Sequence, residues 1–148
     1  GAGLDMPAFL RARPRRAEAE AERKATEPEP LFIGVPQFDH GEAVLFDSSR
    51  RKDADKLPQS VRINRLMVRF PAGTPDHRSL DGRLSILIFV ADLSSPRARV
   101  RLADLVRRRG ERPLNLLKRA GEVVRIVLVD PAGAWARGAP QISVGLGW

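Results

Sequence analysis

The residues of this chain that could do chemistry are few, and their spacing does not bring them together. The two histidines stand apart, His40 within Asp39-His40-Gly41-Glu42 and His77 directly after Asp76. Neither belongs to a His-x-x-x-His pair of the kind that holds a metal on one helix face. Isolated histidines in turn-like sequence predict surface residues and no metal site. Asp47-Ser48-Ser49 sets hydroxyls beside a carboxylate, but Ser and Asp after an apolar run are ordinary turn chemistry. No base or oxyanion motif accompanies them, so nucleophilic catalysis has no support. Cysteine is absent, which removes thiolate nucleophiles, zinc ribbons and disulfide-stapled scaffolds. The glycines of residues 133–138 and of Gly145-Leu146-Gly147 lack the strand-to-helix setting of a phosphate loop. These residues predict a non-enzyme with no cofactor and no metal.

Charge carries more information. The formal net charge of the 148 residues is +8. Residues 1–30 balance six basic against six acidic side chains, whereas residues 97–125 hold ten basic and three acidic ones. Arg97, Arg99, Arg101, Arg107, Arg108, Arg109, Arg112, Lys118 and Arg119 could together contact about six to ten phosphates if they shared a face, with steep salt dependence. The preference for Arg over Lys suits bidentate recognition of phosphate or carboxylate. No aromatic residue interleaves with these cations, so stacking on single-stranded bases is poorly provided for. Two readings stay open: a segment that binds nucleic acid or another anionic surface, and a solvated basic face, with the second preferred.

Residues 4–11 read Leu4-Asp5-Met6-Pro7-Ala8-Phe9-Leu10-Arg11. Asp5 is an N-cap candidate two residues before a proline that the first helical turn tolerates, and Met6, Phe9 and Leu10 then fall at i, i+3 and i+4. A one-turn apolar face beside an arginine suits a helix-in-groove ligand. The string resembles the C-terminal tail peptide of FtsZ, the tubulin-like bacterial division GTPase, whose usual form is Leu-Asp-Ile-Pro-Ala-Phe-Leu-Arg; Met6 is the one departure. The Arg-rich residues 11–16 are also similar to the basic end of such tails. The resemblance implies a docking handle captured by membrane anchors and regulators of the division ring. Leu4, Met6, Phe9 and Leu10 would be its apolar anchors, Asp5 and Arg11 its polar ones, and Pro7 the point where extended chain turns helical. It covers eight residues, it stands ahead of the rest of the chain where the family carries it last, and no GTP-binding glycine signature follows.

Something must position these groups. Residues 15–25 are rich in good helix formers, with Glu20 four residues before Lys24, but have no apolar stripe beyond Ala. They read as a flexible or partly helical arm that ends at Pro28 and Pro30. A β-rich domain is expected over residues 31–148. Its most apolar run, residues 84–91, is too short for a helix, far short of the about 20 residues that cross a bilayer, and has the β-branched character of a strand buried on both faces. The start does not resemble a signal peptide, and a cytoplasmic protein is expected.

Further strands are predicted over residues 31–35, 43–46, 61–70, 123–129 and 141–146, between turn signals rich in Pro and Gly. The apolar phase of residues 61–70 changes at Asn64-Arg65, which predicts a bulge or bend. Residues 97–110 read as a strand start passing into a short helix stopped by Gly110, and residues 113–121 as a further helical turn or two between Pro113 and Gly121. Trp135 reads as a core filler rather than a contact residue; Trp148 is undecided. The fold class is mainly β, an antiparallel sandwich or small barrel with one or two short helices.

Overall fold

The computed structural model describes residues 29–70, 83–107, 109–133, 135 and 141–148. The FtsZ-like peptide, its spacer, His77 and Arg108 lie outside the described residues. Among the described residues eight strands run in the order β1 (Phe32–Gly34), β2 (Glu42–Asp47), β3 (Val61–Arg69), β4 (Ser85–Val90), β5 (Ala98–Arg101), β6 (Glu111–Lys118), β7 (Val124–Val129) and β8 (Ile142–Gly147), with one short helix, α1 (Leu102–Arg107), between β5 and β6. They form two four-stranded sheets, β1-β8-β3-β6 and β2-β7-β4-β5, and every pairing is antiparallel. Two open sheets rather than one closed surface make the fold a sandwich, not a barrel.

Alternation explains what each sheet buries. Ile63, Leu66 and Val68 of β3 and Val144 and Leu146 of β8 meet Phe46, Ile86, Ile88, Ile126 and Leu128 of the second sheet in one apolar core. The run over residues 84–91 supplies β4, an inner strand flanked by β7 and β5. Four of its six residues, Ser85 to Ile88, are buried without a break. The phase change in β3 is a true register shift against β6 between Ile63 and Arg65. Between the pairs of those two residues β6 advances three residues and β3 only two, so the extra residue is on β6, while Leu66 and Val68 reach the core in the opposite parity to Ile63.

A second bulge lies in β2, where the register against β7 shifts between Val44 and Phe46. Leu45 is the additional residue. It lets both Leu45 and Phe46 enter the core, and it turns Asp47 to the outer face opposite Arg125, where strict alternation would have aimed it inward.

The segment after Gly110 corrects the expectation of further helical turns. Residues 111–118 are strand β6, paired with β3 from Met67↔Glu111 to Val61↔Lys118. Pro113 is tolerated because β6 is an edge strand, where a missing N–H costs no ladder bond. Leu116 and Lys118 are buried while Pro113, Asn115 and Leu117 are exposed. The period is two, disguised by the neighbouring leucines. The expected strand start into a short helix is observed as β5 and α1, and among the described residues α1 is the one α-helical element of more than a single residue. No described helix is long and apolar enough to cross a membrane.

Candidate docking face on the second sheet

The outer face of the second sheet is a grid set by the strand registers. Val100 is buried in the core, so its neighbours Arg99 and Arg101 project outward. Arg101, Ser85, Val129 and Glu42 form one row across β5, β4, β7 and β2, and Arg99, Leu87, Val127 and Val44 form the next. Phe89, Arg125 and Asp47 form a third, with Arg97 just before β5, its N–H bonded to the Ile88 carbonyl. Cations therefore stand along one edge, carboxylates along the other, and apolar side chains between them. Leu87 and Val127, directly opposite each other, are only 8% and 5% exposed, yet they are not part of the core cluster.

A groove of about 340 Å³ follows this apolar centre. Val44, Leu87, Phe89 and Val127 line it, Leu93, Ser94 and Pro96 close it from the β4–β5 turn, and Glu42, Arg99 and Arg125 stand at its rim. The turn is fixed by Asp92, whose Oδ1 accepts from the Ser94 N–H at 2.9 Å and the Ser94 hydroxyl at 2.6 Å. The Ser94 hydroxyl, with the backbone N–H groups of Ser94 and Ser95, holds the Asp92 carboxyl below its ordinary value.

Arg125 is committed. Its Nε donates to Asp47 Oδ2 at 2.8 Å. The other oxygen of Asp47 accepts from the Ser49 N–H at 2.9 Å and from the Ser49 hydroxyl. Burial pushes the Asp47 carboxyl up, but the two Ser49 bonds and the Arg125 guanidinium outweigh it and hold the carboxyl below its usual value. The stabilisation this gives is present above the ordinary aspartate range and is lost as pH falls through the lowered value. Beneath it, buried Asp53 accepts the Asp47 N–H at 3.2 Å and pairs with Lys56 at 3.2 Å. Asp47-Ser48-Ser49 is thus a structural corner, and Ser48 donates nothing to a base; its hydroxyl accepts the Val124 N–H at 2.9 Å.

The described cations of residues 97–119 are not brought to one face. Arg97, Arg99 and Arg101 are exposed along β5, and among the described residues none of them forms an ion pair. Arg107 ends α1. Arg109 is exposed in a left-handed turn at φ 56°. Arg112 is half-buried on β6 in the other sheet, and Arg119 is exposed in the turn beyond it. Lys118 is 5% exposed, and its Nζ donates to the Gln59 carbonyl at 2.7 Å and the Arg119 carbonyl at 3.3 Å. A smaller hollow of about 190 Å³ lies beside it, lined by Ser48, Gln59 and Glu122 among others. Among the described residues only Arg97, Arg99 and Arg101 form a compact cationic row. Sequence reading missed the apolar groove beside them, although Arg125 inside a Val/Ile strand was a signal that a carboxylate must face it.

Among the described residues no three His, Cys, Asp or Glu side chains converge as a metal site. His40 is exposed, with Nδ1 2.7 Å from Asp39. No family model, curated protein or solved structure matches this chain.

Proposed function

We propose that the chain is a non-enzymatic protein-interaction module of bacterial cell division: a β-sandwich preceded by an arm whose peptide, residues 4–11, docks to receptors of FtsZ-like tails. The observation that carries the reading is the near-identity of that octapeptide to the family's tail. The alternative, an anion-binding segment over residues 97–119, is less well supported, since Lys118 is consumed by carbonyls and Arg112 sits in the other sheet.

The test is competition. A fluorescent FtsZ tail peptide is bound to a membrane anchor of the division ring, and the full chain is titrated in. Displacement is expected, and Phe9→Ala should weaken it by about tenfold or more, the usual loss when a central aromatic anchor is truncated. Absence of displacement at a hundredfold excess of the full chain would dismiss the docking role.

A further inference from the structure

The open edge of β5 has two properties that belong together. In the ladder with β4, the Leu102 N–H bonds to the Leu84 carbonyl at 2.9 Å, and Val100 and Ala98 face Ile86 and Ile88. Bonding alternates along an antiparallel pair. The N–H and C=O groups of Arg99 and Arg101 therefore point away from β4 to the side where, among the described residues, no further strand lies. The side chains of those same residues stand on the outer face, without an ion pair among the described residues, beside a groove floored by Leu87, Phe89 and Val127.

We propose that this edge captures an extended acidic peptide by strand addition. Such a strand would complete the β5 backbone bonds, and its alternate side chains, about 6.8 Å apart, would meet Arg99 and Arg101 at matching intervals. Carboxylates at positions i and i+2 fit; the residue between them turns to the other face. Arg99 also rims the groove, so an apolar residue flanking the acidic run finds a hollow beside the cation. Pairing of β5 with β5 of a second copy is disfavoured, because it sets arginines opposite arginines. A nucleic acid is a poorer match. It has no strand backbone to offer the edge, Phe89 is the one aromatic in the groove, and Glu42 and Asp47 stand along the far side of the same face.

This inference does not rest on the arm peptide, and the two separate in one protein. Fluorescence anisotropy of the full chain with labelled Glu-Val-Glu-Val-Glu-Val should show saturable binding that weakens with salt, and Lys-Val-Lys-Val-Lys-Val should not bind. Arg99→Glu and Arg101→Glu should each weaken it about tenfold or more, while Arg119→Glu, the same charge change away from the edge, leaves it within twofold. Phe9→Ala should weaken tail competition and leave Glu-Val binding intact; Arg99→Glu should do the reverse. Equal losses for Arg119→Glu and Arg99→Glu would reduce the effect to net charge and overturn the proposal. Tighter, Arg99-dependent binding of an oligothymidylate would replace it with a nucleic-acid site. Arg99-dependent self-association in sedimentation would replace it with a second copy.

Discussion

Gly110→Ala is expected to cost about 3 kcal/mol or more of folding free energy, seen as a fall in the denaturant midpoint. Gly110 ends the turn after α1 at φ 82°, and its N–H bonds to the Leu105 carbonyl at 2.7 Å. Its carbonyl accepts the Val68 N–H at 2.7 Å, which starts the pairing of β6 with β3. A Cβ there would lie 2.2 Å from the Val68 carbonyl oxygen and 2.8 Å from Arg69 Nη1. The backbone oxygen cannot yield without breaking the ladder, so alanine must move the chain. Gly121 supplies the control. Its φ of 83° is nearly the same, but nothing lies within 4 Å of its would-be Cβ. Gly121→Ala therefore carries only the left-handed backbone penalty, about 1–2 kcal/mol. Equal losses at the two sites would refute the steric account.

Trp135→Ala should cost about 3–5 kcal/mol, the range for removing a large buried aromatic. Trp135 is 1% exposed and is the largest side chain in the core cluster. Its backbone N–H donates to Asp130 Oδ2 at 2.8 Å, and Asp130 bonds through its own N–H to the Gly41 carbonyl at 2.8 Å. The ring lies 6.1 Å from that of half-buried Phe70. Truncation would empty that end of the core and remove the ring that faces Phe70. Trp148, 49% exposed, serves as the comparison: Trp148→Ala should change stability by less than about 1 kcal/mol. Urea titration of both variants gives the answer. A loss under about 1 kcal/mol for Trp135→Ala would place the indole outside the core.

The strands were legible wherever apolar and polar residues alternated visibly or turn residues bracketed an apolar run. Residues 61–70 even disclosed their register shift, because polar Asn64 and Arg65 interrupted the apolar phase. The bulge at Leu45 left no such trace. Ala43-Val44-Leu45-Phe46 is apolar throughout, so nothing in it marks which residues face the core; the register comes from β7. Residues 113–121 misled for a related reason, since Pro and Gly at helix-like positions outweighed a period of two hidden among three leucines. The candidate site was half readable. Alternating arginines at 97, 99 and 101 were evident, but whether they joined Arg112, Lys118 and Arg119 depended on β6 belonging to the opposite sheet. That fact lies in the pairing of distant strands, not in local sequence.

The account requires a sandwich that closes on its own core, with the docking peptide in a separate segment ahead of it. Thermal unfolding of residues 29–148 beside the full chain tests this most directly. The two midpoints should agree within about 2 °C, given that a loss of 1 kcal/mol moves a domain of this size by about 4 °C. A midpoint lower by about 8 °C or more in the shorter chain would mean that the first 28 residues help build the core, contradicting the arrangement on which the docking role depends.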